Sequence, residues 1–396
     1  MNPNILKHIQ EKSVKLLEKI NGYREFLHAN PELSFEEYNT CEFVAAKLTE
    51  LGIPTEKGIG KTGVVGLIMA DHHTFSDSFI GLRADLDALP IQEENDVSYK
   101  STVSGVMHAC GHDVHTGILL GVAEILNEIR NELKHPIKLI FQPGEEKNPG
   151  GASILITAGV LNNPKVSKMY ALHVFPELKA GKVGFKEGLY MASCDEIYMT
   201  IHGKGGHGAM PHQCIDPILI GANIVTSLQQ IISRSCDPKT PSVLSFGHFE
   251  GLGATNVIPS VVKLKGTFRT MDETWRAKAL ELIEFQATSI AHTFGGTVDV
   301  EISHGYPCLY NNEELTKSLR VKSEVFFGRT NVESLPIRLT SEDFAFYSQK
   351  IPVCFVRLGV GNEAKGIING VHHPKFDIDT KSLITGMQLL SIAAID

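Results

Sequence analysis

The chain has 396 residues, more than one hydrophobic core ordinarily serves, so two domains are expected. Its formal net charge of -8 speaks against a nucleic-acid partner or an anionic membrane surface. No apolar run approaches the roughly 20 residues a membrane helix needs, the N-terminal stretch lacks an apolar signal core, and the seven cysteines are scattered and odd in number; a cytoplasmic protein with reduced thiols is expected.

Apolar residues recur at helical spacing over 4–28, and Pro31 stops that run. Ser34 and Glu37 have the spacing of a capping box, which opens a second helix ending at Gly52. Residues 58–63, Gly-Ile-Gly-Lys-Thr-Gly, fit a dinucleotide fingerprint only on paper: they precede a strand instead of following one, so a turn is expected. Strands over 63–69 and 79–82, a helix over 116–129, a strand over 137–142, a helix near 151–158 and a strand over 168–174 make an α/β pattern. From 193 to 304 the order becomes β-α-β-β-α-β, the split ferredoxin-like unit. We read 193–304 as a domain inserted into a larger one made of 1–192 and 305–396. The α/β pattern then resumes, with helices at 313–327, 343–348 and 381–394 and a strand at 353–358.

The chemistry concentrates in Met107-His108-Ala109-Cys110-Gly111-His112-Asp113-Val114-His115. Cys110 and His112 stand two apart before a long helix, where a thiolate and an imidazole can reach one divalent ion. Glu145 and Glu146 follow a strand directly; one can bind metal while the other handles a proton. His173 lies at a predicted strand end, the place where α/β folds gather active-site groups. His372 sits in a His-His-Pro turn. Asp85 and Asp87 share a strand face, and either could orient a metal-bound histidine. A closed structural zinc site does not fit, because these donors come from distant segments.

Segments 83–90, 107–115, 142–146, 172–174, 205–212, 256–259, 341–344 and 372–374 together resemble the di-metal aminoacylase/carboxypeptidase family. The closest likeness is to its amidohydrolase branch of hippurate hydrolases, N-acyl-amino-acid deacetylases and auxin-conjugate hydrolases. The likeness spans nearly the whole chain. It implies two divalent metal ions (zinc, manganese, cobalt or nickel) in the larger domain, held by Cys110, His112, Glu146, His173 and His372. Glu145 matches the general base and Asp87 the aspartate that buttresses the metals. Asp85 falls where many relatives carry a ligand histidine, a departure for which Cys110 compensates. His108 and His115 are left with supporting or packing roles. The inserted domain resembles a lid and dimerisation domain, with His207 matching a histidine that reaches the partner's active site in a homodimer. Asn256 and Arg269 match positions that hold the substrate carboxylate, although alone His207 fits a glycine-rich surface loop and Arg269 a water-facing strand. The implied activity is metal-dependent hydrolysis of N-acyl amino acids. A di-metal dipeptidase or carboxypeptidase acting on short peptides is the nearest alternative, and a non-catalytic metal-dependent binding protein a more distant one.

Overall fold

The computed structural model describes residues 2–395. The chain divides into two compact units: residues up to Gly188 with Tyr310–Pro336 and everything from Asp343 onward, and Leu189–Leu309 with Ile337–Glu342. The segment Ile337–Glu342 goes with the second unit because Arg338 bridges to Met191 and accepts a backbone hydrogen bond from Ala192. The sequence pattern alone assigns that segment, within 305–396, to the larger domain.

The first unit is built on an eight-stranded mixed sheet. At its centre, Ile137–Gln142, Phe79–Asp85, Val166–Lys179 and Val353–Gly361 run parallel. Strands buried on both faces read as nearly continuous apolar runs, and Phe79–Asp85 and Ile137–Gln142 are buried along their whole length. The hairpin Thr55–Ile59 and Gly63–Ile68 extends one edge antiparallel, its turn using positive φ at Gly58, Gly60 and Lys61. That turn is what residues 58–63 form; the short strand before it was not read from the sequence.

The helix His112–Glu128 is buried on nearly every side. An all-round apolar helix belongs in a core, and here it packs against Leu17–Ala29 and Lys381–Ala394. The fit is close: a Cβ on Gly121 would lie 2.3 Å from the Met387 sulfur. The helix begins four residues earlier than the apolar periodicity predicts. Gly111, at φ 79°, reverses the chain just before it and so puts His112 in the first turn.

Other expectations change for local reasons. The N-terminal run is two helices, Pro3–Lys15 and Leu17–Ala29, interrupted at Leu16. Ser34 and Glu37 form no capping box: the helix Tyr38–Glu50 has no side-chain cap, because both side chains are drawn elsewhere. The strand carrying His173 continues to Lys179, so this histidine stands within a long strand and not at its end. It does lie beyond the last pairing with Phe79–Asp85, which is Arg83 opposite Ala171.

In the second unit, one antiparallel sheet runs in the order Ser242–Glu250, Val261–Thr270, Asp195–His202, Thr297–His304. The helices Pro217–Gln230 and Glu273–Thr293 share its core through Ile220, Ile224, Leu280 and Ile283. Both helices start on an aspartate, Asp216 and Asp272, whose carboxylate accepts from first-turn N–H groups.

Gly151, at the start of Gly151–Thr157, is where the first unit tolerates least. A Cβ there would fall 1.6 Å from the Pro143 carbonyl oxygen. Gly151→Ala is expected to destabilise the fold by about 1–3 kcal/mol, the usual cost of forced overpacking. Urea unfolding checks this; an unchanged midpoint would show that the loop yields freely.

Candidate metal centre

The site gathers where the central parallel strands end, with the turn before His112–Glu128 and a loop near the C-terminus. Two backbone features set the donors. Gly111 is required in its turn, because a Cβ would lie 2.7 Å from Val174. His372 holds φ at 66°, and its N–H donates to the Ala109 carbonyl at 2.8 Å. A non-glycine residue in this region is strained, and such strain clusters at functional sites. That hydrogen bond ties the His372 loop to the residue before Cys110.

All five expected donors converge. Potential ligand atoms of Cys110, His112 and His173 lie within 4.8 Å of one another, as do those of Cys110, Glu146 and His372. Cys110 is common to both triplets. Its sulfur is 3.3 Å from His173 Nε2. Glu146 Oε1 stands 3.9 Å from His112 Nε2 and 3.3 Å from His372 Nε2. Both histidines of the first triplet have their rings fixed from behind. His112 Nδ1 donates to the Asp87 carbonyl and His173 Nδ1 to the Val174 carbonyl, each at 2.8 Å, which turns Nε2 toward the cluster. Four of the five side chains are buried or nearly so, whereas that of His372 is 52 % exposed.

The donors fit a cation on three grounds. His112 Nε2 and Glu146 Oε1 are buried without a hydrogen-bond partner, which native structures rarely allow. The set of thiolate, imidazole and carboxylate suits a borderline divalent metal. The electrostatics also call for positive charge. Burial opposes a charge on His112, yet Asp85, Asp87 and Glu146 raise it to about 10, so a proton stands in for a cation. Burial, with Glu146 and Glu145, pushes the Cys110 thiol up, while burial holds His173 neutral.

Asp87 is the frame. Its Oδ1 accepts from the Glu145 N–H at 3.0 Å, and its Oδ2 from the Glu146 N–H at 2.9 Å and the Ser34 hydroxyl at 2.6 Å. Glu37 supports the same loop from outside: it accepts from the Gly144 N–H at 2.8 Å, the Phe35 N–H at 2.9 Å and the Thr62 hydroxyl at 2.6 Å. These contacts are why Ser34 and Glu37 cap no helix. Glu145 is buried, and one of its carboxylate oxygens comes within 4.8 Å of the His112 and Glu146 donor atoms.

Asp85, His112 and His115 also cluster. They do not offer a separate site, because both oxygens of Asp85 and both ring nitrogens of His115 are engaged with protein groups.

The remaining expected residues lie in the second unit. His207 is exposed on the two-residue strand Gly206–His207, opposite Val257, and the Gly208 N–H donates to the Asn256 carbonyl at 2.8 Å. His207 and Asn256 are therefore neighbours on one small ribbon. Arg269 is on the four-stranded sheet instead, with Nη1 donating to the Leu339 carbonyl at 3.1 Å. The sequence gives Ser34, Glu37, Arg83 and Asp343 no part in the site and His115 only a supporting or packing role. Position 343 fell inside a recognised segment, but nothing in the sequence shows what its carboxylate does.

A frame of this kind, with clustered thiolate, imidazole and carboxylate donors beside a further buried carboxylate, is that of a metal-assisted hydrolase. Residues 81–395 match the model of peptidase family M20/M25/M40, and the chain belongs to that family. It is 38% identical over 396 residues to thermostable carboxypeptidase 2 of Saccharolobus solfataricus, covering 99% of this chain and 97% of that one. It is 42% identical over 293 residues to the N-acyl-L-amino acid amidohydrolase of Geobacillus stearothermophilus, covering 74% and 78%. Among solved structures, the Bacillus subtilis YXEP protein, a dinuclear metal binding peptidase from the M20 family, superposes with TM-score 0.80 at 33% identity, covering 96% of this chain and 98% of that one.

Filling the centre with metal must expel protons from His112 and Cys110, since both hold them at neutral pH without an ion. Apparent metal affinity is therefore expected to rise with pH through the neutral range. Calorimetry in buffers of different ionisation enthalpy counts the protons released; a heat independent of buffer would contradict this.

Proposed function

We propose that the protein is a metal-dependent amidohydrolase that cleaves the amide bond of N-acyl amino acids, giving a carboxylic acid and a free amino acid. The observation that carries the reading is Glu145: a buried carboxylate beside five converging donors, held by Asp87 through its backbone. A binding protein has no use for a base there. Carboxypeptidase and N-acyl amino acid amidohydrolase, the activities named for the two relatives, break the same type of bond. Each frees an amino acid whose nitrogen was acylated and whose carboxylate was not.

Two divalent ions held by Cys110, His112, Glu146, His173 and His372 would supply an acidified water and a polarised scissile carbonyl. The thiolate and imidazole donors suit zinc, cobalt or nickel, and the carboxylate also admits manganese. Glu145 takes the proton from the attacking water and returns it to the departing nitrogen. His207 donates to the carbonyl oxygen as negative charge builds on it. Arg269 offers a paired N–H fork to the amino-acid carboxylate, and Asn256 helps to hold it. We place His207 at the metal centre of a second subunit, in a homodimer formed through the Leu189–Leu309 unit. Exposed Met210, Leu219, Phe249 and Leu252 give that unit apolar surface to cover. A cytoplasmic setting is supported by seven cysteines that are all unpaired and by the absence, among the described residues, of a helix long and apolar enough to cross a membrane.

Glu145→Gln should retain its metal and lose about a hundredfold or more in kcat, the scale of a missing general base. Metal analysis and steady-state kinetics on N-acyl amino acids and short peptides check this. Near-full turnover would overturn the assignment, while cleavage of peptides alone would favour the carboxypeptidase reading. Mixed dimers of inactive His207→Ala and inactive Glu145→Gln chains should recover part of the activity, since one centre in each would be complete. No recovery in verified heterodimers counts against action across subunits.

A further inference from the structure

Arg83 is fully buried near the end of Phe79–Asp85, and three of its nitrogens face the outer layer of the site. Nε donates to Gln142 Oε1 at 3.0 Å, Nη1 to Asp85 Oδ2 at 2.6 Å and Nη2 to Asp343 Oδ1 at 2.8 Å. Two of these contacts lead on to reactive positions. Asp85 Oδ1 accepts from His115 Nδ1 at 2.6 Å, and His115 Nε2 accepts the Val174 N–H at 2.9 Å. Because Nε2 must accept, the proton of His115 is on Nδ1. The carbonyl of the same Val174 holds the ring of His173. On the other side, the Asp343 carboxylate also takes Gln142 Nε2 at 2.8 Å and the Ala152 N–H at 2.9 Å. The Asp343 backbone N–H then donates to Glu145 Oε1 at 3.3 Å.

We propose that Arg83 is a positioning residue that aims two separate parts of the site at once. One arm runs through Asp85, His115 and Val174 to the donor His173. The other runs through Asp343 to the base Glu145. The geometry needs a guanidinium, whose planar fork reaches both carboxylates and Gln142 together; a lysine is a single point charge. Asp85, both of whose oxygens are engaged by Arg83 and His115, thereby keeps a part in the centre without touching metal. The arm to Glu145 rests on the hydrolase reading, while the arm to His173 rests on the donor cluster alone.

The test uses full-length Arg83→Lys, His115→Ala, His115→Gln and Asp343→Asn. Apo protein is titrated with Co(II), following the ligand-field and sulfur-to-metal bands. Kinetics use an N-acyl amino acid that the wild type hydrolyses. His115→Ala is expected to weaken Co(II) binding by about 10–100-fold, as lost outer hydrogen bonds to ligands do, with altered bands. His115→Gln, which can still donate and accept, should recover part of the loss. Asp343→Asn should lower kcat about tenfold with KM and the Co(II) bands unchanged. Arg83→Lys should show both defects. A folded Arg83→Lys with wild-type bands and kcat within about twofold of wild type overturns the proposal. If Arg83→Lys does not fold, the other variants decide, and a shared defect or none overturns it. Failure of the wild type on every N-acyl amino acid would instead sink the hydrolase reading and leave the Co(II) arm standing.

Discussion

His112, Glu145 and Glu146 all depend on the hydrogen bonds of one buried residue, Asp87. Its carboxylate collects the N–H groups of Glu145 and Glu146, and its carbonyl fixes the His112 ring. The residue therefore orients one histidine donor, one carboxylate donor and the proposed base, Glu145, from a single position. Burial penalises its charge, yet hydrogen bonds from His112, Ser34 and Glu146 hold its carboxyl below the usual range. A charge kept in the interior by so many donors cannot be replaced by a neutral group without stranding them.

The rest of the site repeats this design outward. Carboxylates crowd the interior, and Asp87, Glu37 and Asp343 each have N–H or O–H groups from several segments aimed at them. Arg24 does the same on the far side of His112: its Nε reaches Asp113 at 2.8 Å and its Nη2 reaches Asp377 at 2.9 Å, joining the helix of His112 to the loop of His372. Glu37 and Asp343 both brace the Glu145 loop, at Gly144 and at Glu145 itself. What is left over is a concentration of acceptors at Cys110, with a proton on His112 to balance them. The fold places negative charge first and relies on a cation to complete it.

Much of this was legible in the sequence, for a chemical reason. Cys110 and His112, the Glu145–Glu146 pair and His372 are residue types that few other environments favour in those patterns, and the structure draws them together with His173. The α/β order and the later β-α-β-β-α-β order followed from periodicity. What escaped was either ambiguous or remote. Ser34 and Glu37 have the spacing of a helix cap, and local sequence cannot reveal that stronger acceptors and donors elsewhere compete for them. The start at His112 was missed because apolar periodicity says nothing about a turn set by the φ of Gly111. Arg83 and Asp343 are 260 positions apart, and His115 reads as one more histidine in a histidine-rich stretch, so only the folded chain shows the network they make.

The exposure of His372 divides the labour among the donors. Cys110, His112 and His173 are packed in the interior and Glu146 nearly so, while His372 meets solvent on a strained loop anchored to Ala109. The buried donors form a preset cup, whose depth governs how firmly an ion is retained. His372 is the one of the five set at the rim, on a loop tied down by its own N–H to Ala109, by Glu94 to Pro374 and by Arg24 to Asp377. In the proposed di-metal centre, thermodynamic hold and kinetic access would then fall to different residues, the buried four and the exposed one.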